Sequence, residues 1–143
     1  MATMKAILVP VDGSQNSDRA VAHALQLIGA GLAAELHLLN VQPSFGGAIS
    51  AFVDREQIDS YRREEGNKAL ASAVELAKKA SVAATVHIGV GRHGAVINDY
   101  VKKLDAGSVV IGTRGHTGLA GVLLGSVAQD VIAHVEVPVT LVK

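Results

Sequence analysis

The chain has no cysteine and no tryptophan among its 143 residues, and only two phenylalanines, two tyrosines and three prolines. Without cysteine there is no disulfide framework, no thiol nucleophile and no thiolate zinc site. So few aromatic rings leave little surface on which nucleic-acid bases could stack. Neither sign of charge is in excess: 13 lysines and arginines balance 13 aspartates and glutamates, so bulk electrostatics offers nothing to a polyanion. No apolar run reaches the roughly 20 residues that cross a bilayer. The opening segment meets Pro10 before a signal-peptide core is built. The expectation is a cytoplasmic protein with no nucleic-acid and no membrane partner.

What is present is apolar residue in quantity. At 49% hydrophobic composition and a mean hydropathy of +0.33, disorder is excluded. The length suits one domain, residues 1–143, burying about two-thirds of its unfolded surface. Ala6 to Val11 reads as a strand buried on both faces, closed by Asp12-Gly13-Ser14. A helix follows, with Ala20, Val21, Ala24, Leu25 and Ile28 on one face and Gly29 and Gly31 at its end. Leu36 to Val41 is a second strand, and a glycine-containing loop from Gln42 to Phe52 is long enough to suspect a role. Asp54 to Ala80 reads as a long helix with a charged, solvated side. Strands at Thr85–Val90, Val109–Gly112 and Val137–Val142 alternate with helices at Ala95–Leu104 and after Ser126. Alternation of this kind predicts an α/β fold on a parallel sheet, with ligands at the carboxyl ends of the strands.

The stretch from Val109 to Val135 carries the most chemistry. An apolar strand ends in Gly112-Thr-Arg-Gly115. Nine residues later Gly125-Ser126 opens a helix whose apolar face is Val127, Val131, Ile132 and Val135. Ser126 stands where an N-cap belongs. A helix start offers unpaired N–H groups and the positive end of a dipole, which suits phosphate. Gly112, Gly115 and Gly125 lack Cβ, so the backbone can turn sharply and approach an anion. The same glycines can also be read as tight turns and nothing more.

Other motifs weigh less. Gly89-Val-Gly91-Arg-His-Gly94 is a literal GxGxxG, but the next strand ends at Ile111-Gly112 with no acidic partner, so turn glycines account for it better. No Gly-Lys-Ser or Gly-Lys-Thr occurs, which excludes a P-loop. Arg114 either grips phosphate in bidentate fashion or is an idle loop residue. Asp12 either meets ribose, a purine amine or a metal, or makes an Asx-turn or cap for the first helix. The six histidines lack metal-site spacing, and Ser14 and Ser126 lack a nucleophile elbow.

Taken together, these residues resemble the universal stress protein family over nearly the whole chain, in its ATP-binding branch. The family signature, Gly, two residues, Gly, nine residues, then Gly-Ser, stands intact as Gly112-Thr-Arg-Gly115 through Gly125-Ser126. Val9-Pro10-Val11-Asp12-Gly13-Ser14 and Val137-Pro138-Val139 match as well. The resemblance implies a three-layer α/β/α, Rossmann-like fold of the adenine-nucleotide α-hydrolase-like kind, with a five-stranded parallel sheet in the order 3-2-1-4-5. It implies ATP as ligand, with Mg2+ accompanying the phosphates. Gly112, Gly115, Gly125 and Ser126 would hold ribose and phosphates, and Val127 would offer a further helix-start amide. Arg114, read from its own chemistry, is counted with them as a candidate nucleotide-binding residue. Pro10, Val11, Asp12 and the backbone of Val41 would meet ribose and adenine. It also implies a homodimer formed through the Val137–Val142 edge strand. Ala120-Gly121 departs from the family, where relatives often carry a basic residue. The expected function is a nucleotide-dependent regulatory, stress-response module. A slow ATP hydrolase and a ligand-free interaction protein are the alternatives.

Overall fold

Residues 4–47, 51–115 and 123–143 are described by a computed structural model of the chain. The expected departure at Ala120-Gly121 lies outside these residues, as does His116. The element order is β1 (Ala6–Pro10), α1 (Gln15–Gly29), β2 (Glu35–Gln42), α2 (Arg55–Lys79), β3 (Ala84–Val90), α3 (His93–Leu104), β4 (Ala106–Gly112), α4 (Ser126–His134) and β5 (Val139–Val142).

All five strands are parallel and lie in the order β3-β2-β1-β4-β5, as the family resemblance implies. β1 is central. Leu8 pairs with His37 on one side and with Val109 on the other. Because side chains alternate along a strand, β1 feeds two cores at once. Ile7 and Val9 join Val21, Leu38, Leu70 and Ala73 under α1 and α2. Ala6 and Leu8 join Leu39, Val109, Ile97 and Val131 under α3 and α4. Each fully buried Leu, Ile or Val contributes about 1.5–3 kcal/mol of transfer free energy. A strand with five buried residues in a row is therefore held from both faces.

The chain leaves β1 toward β2 on one side and reaches β4 on the other, so the strand order reverses between β1 and β4. In parallel sheets the crevice above such a reversal, at the carboxyl ends, is where ligands lodge. Local chemistry shapes both of its banks. On the β1 side Asp12 accepts the Ser14 N–H (2.9 Å), and Gly13 takes φ +85° between them. Ser14 then caps α1, its Oγ accepting the Ser17 N–H at 3.1 Å.

Several boundaries differ from expectation by one to three residues, and three of them bear on the sheet beside the cleft. β4 begins at Ala106 instead of Val109, because Asp105 ends α3 in the left-handed region (φ 52°) and delivers Ala106 directly opposite Ala6. A register shift there takes up the weakly β-forming Gly107-Ser108. β5 begins at Val139 instead of Val137, leaving Pro138 just outside, where its carbonyl accepts the Val109 N–H at 3.0 Å. The N-cap of α4 is Gly125, not Ser126, which is the first helical residue.

Candidate functional site

Above the reversal lies a cavity of about 280 Å³, walled by the end of β1, the segment after β4 and the first turn of α4. Of the residues expected from sequence, Pro10, Asp12, Gly112, Arg114, Gly115, Gly125, Ser126 and Val127 line it. Val11 and Val41 do not. Val11 is buried, its N–H donating to Leu39 (2.8 Å) and its carbonyl accepting from the Asn40 side chain (2.8 Å). Val41 sits inside β2, opposite Gly89 of β3, packed in the core beneath α3.

Ser17, Ile111, Thr113 and Ala128 complete the lining and were missed by sequence reasoning. Ala128 was findable: it is the third residue of α4, and the first three N–H groups of any helix lack an intrahelical acceptor. Here those groups belong to Ser126, Val127 and Ala128. Among the described residues no side chain caps them, because the capping position is a glycine. Three bare amides and the positive end of the dipole therefore face the cavity.

The glycines have a packing role that the sequence did not show. None of Gly112, Gly115 and Gly125 lies at positive φ, so a sharp left-handed turn is not what requires them. Nor is the vacated space open to an anion. A Cβ on Gly112 would collide with the Asn16 amide. On Gly115 it would stand 2.7 Å from Asp12 Oδ2, and on Gly125 3.2 Å from the Thr113 carbonyl oxygen. Removing Cβ lets α1, the post-β4 segment and the α4 start touch one another. The Gly125 N–H then donates to that same Thr113 oxygen at 2.6 Å, joining the start of α4 to the segment after β4.

The GxGxxG glycines are structural. Gly91 adopts φ +134°, Gly89 lies against Val96, and the Gly94 N–H is taken by Asp130 Oδ2 at 2.7 Å, locking α3 to α4. Away from the cleft, His37 and His87 meet across β2 and β3 with 2.9 Å between Nδ1 and Nε2, and His37 Nε2 lies 3.1 Å from Glu35. A carboxylate only accepts, so a neutral His37 carries its proton on Nε2 and its Nδ1 then accepts from His87. The His87 ring also packs on Tyr100. Its pKa is lowered from 6.5, first by burial, then by the neighbouring His37 and Lys103 charges. No group of three metal-ligating side chains occurs among the described residues.

A doubly wound parallel sheet with a glycine-closed, amide-lined cleft at its switch point defines a class of small-ligand-binding α/β domains. The universal stress protein family model matches residues 3–143, and the chain belongs to that family. It is 34% identical over 142 residues to universal stress protein MJ0531 of Methanocaldococcus jannaschii, covering 97% of this chain and 82% of that one. It is 32% identical over 147 residues to universal stress protein YxiE of Bacillus subtilis, covering 96% and 97%. Among solved structures, a universal stress protein from Archaeoglobus fulgidus superposes with a TM-score of 0.72 at 28% identity, covering 97% and 98%. A universal stress protein from the same organism, solved in complex with dAMP, superposes with a TM-score of 0.72 at 24% identity, covering 99% and 100%. No helix of the described residues is long and apolar enough to cross a membrane.

Proposed function

We propose that this chain binds ATP in the cleft between β1, β4 and α4 and acts as a nucleotide-dependent regulatory module. The observation that carries the proposal is the uncapped start of α4: three main-chain donors and the positive end of a helix dipole at the wall of the cleft. Similar proteins solved with dAMP, cAMP and AMP support an adenine nucleotide as the ligand class. The phosphates would rest on the amides of Ser126, Val127 and Ala128, with Arg114 at the cavity wall as a further cationic contact. Asp12 is the carboxylate on the opposite bank, placed to accept from ribose hydroxyls. Mg2+ would enter with the phosphates, since the lining offers it a single carboxylate. Val11 and Val41 lie outside the cavity lining, so a contact with adenine falls to their backbone at most.

β5 is an edge strand whose Leu141 is exposed, and pairing there with a second copy would cover it. Nucleotide alters such an assembly only by binding two states with different affinity. The test is calorimetry with ATP, ADP and AMP, alongside mass spectrometry of whatever the purified protein releases on denaturation. Micromolar ATP binding is expected. Absence of binding by all three nucleotides would refute the proposal. Sustained phosphate release that stops in Asp12→Ala would instead establish a hydrolase.

A further inference from the structure

Asn16 carries no motif in the sequence and does not line the cleft, yet it is only 5% exposed and both ends of its amide are engaged. Its Oδ1 accepts the Arg114 backbone N–H at 2.7 Å. Its Nδ2 donates to the Val142 carbonyl at 3.0 Å. The Thr113 N–H donates to that same carbonyl at 2.9 Å, and the Thr113 carbonyl in turn receives the Gly125 N–H. Gly112 is a glycine where Asn16 packs, so a side chain there would push this amide away. One short polar side chain on the first turn of α1 thus joins the last residues of β5 to the backbone that frames the cleft. Aspartate in its place would supply the acceptor alone, and alanine neither group.

We propose that Asn16 is a positioning residue, whose amide sets the post-β4 side of the cradle and couples it to the edge strand β5. The part of this that concerns nucleotide rests on the function proposed above. Ligand that orders the Arg114 backbone would then steady Val142 through Asn16. By reciprocity, anything that pairs with β5 changes nucleotide affinity by the same factor.

The experiment is residue-resolved amide hydrogen exchange on the full chain with and without ATP, joined to calorimetry. It uses the wild type, Asn16→Ala, Asn16→Asp and Arg19→Ala. Arg19 is the control: its Nε donates to the carbonyl of Lys143, the residue after β5, at 2.8 Å, and among the described residues it makes no hydrogen bond to the Arg114 backbone. Without ligand, Asn16→Ala should speed exchange at both Arg114 and Thr113 about tenfold or more. Asn16→Asp should keep Arg114 protected and expose Thr113, and Arg19→Ala should leave Arg114 unchanged. ATP should slow exchange at Thr113 in the wild type but not in Asn16→Ala, which should bind ATP about tenfold more weakly for two lost hydrogen bonds. Unaltered Arg114 and Thr113 exchange in both Asn16 variants would overturn the inference, as would ATP binding by Asn16→Ala within twofold of wild type. A wild type that takes no nucleotide defeats the proposed function and the coupling to ligand. The ligand-free exchange still decides whether Asn16 positions the loop.

Discussion

Ser126→Pro isolates the main-chain donors from everything else in the cleft. Ser126 is the first residue of α4, the one helical position where proline's missing N–H and fixed φ cost the helix nothing. Proline also restrains the residue before it to extended backbone, and Gly125 already sits at φ −69°, ψ 162°. The fold should therefore accept the change and gain about 0.4–1 kcal/mol by restricting the unfolded chain. For a domain of this size that is a rise in Tm of roughly 1–4 °C. Binding should move the other way. The substitution deletes one of three amide donors, and a hydrogen bond to a charged group is worth about 1.5–3 kcal/mol, or roughly ten- to a hundredfold in affinity. Ser126→Ala is the control, because it removes the hydroxyl and keeps the amide. Calorimetric titration with ATP and thermal melts of both variants decide the matter. Should Ser126→Pro bind ATP within twofold of Ser126→Ala, the α4 amides do not hold the phosphates.

Two further outcomes follow from the same geometry. Gly115→Ala places a Cβ 2.7 Å from Asp12 Oδ2, so the carboxylate, whose other oxygen accepts the Ser14 N–H, must shift. A loss of about 1–3 kcal/mol in denaturant titration, together with weaker nucleotide binding, is expected, and wild-type values in both would refute the contact. The second concerns pH. The folded chain holds the His87 pKa below 6.5, so the unfolded chain takes up that proton first as the solution is acidified. Stability is fully present above about 6.5 and declines as pH falls toward and through the folded value. His87→Gln should flatten the dependence of Tm on pH between about 7 and 5, whereas a slope equal to wild type would remove His87 as its source.

Much of this protein was legible in its sequence, because the governing interactions are local or periodic. Unbroken apolar runs at Ile7–Val9 and Val109–Ile111 can only be strands covered on both faces. The three- and four-residue spacing in α1, α3 and α4 marks the stripe each helix buries. The glycine spacing from Gly112 to Gly125 marks the wall of the cleft between β4 and α4. Where each element begins was decided elsewhere. β4 gained residues because β1 was there to pair with them, and the α4 cap fell to Gly125 because Thr113 accepts its N–H.

The reason for each glycine was likewise invisible in the chain. Asn16, Asp12 and Thr113 occupy the room that the missing Cβ atoms leave, and they are brought there by the sheet. Asn16 reaches Val142 across 126 residues of sequence, and His37 reaches His87 across 50. Contacts at such separations leave no period in the sequence. The first exists only once β1 has been sandwiched between β2 and β4, which brings α1, the end of β4 and β5 within hydrogen-bonding distance of one another, and the second only once β3 pairs with β2.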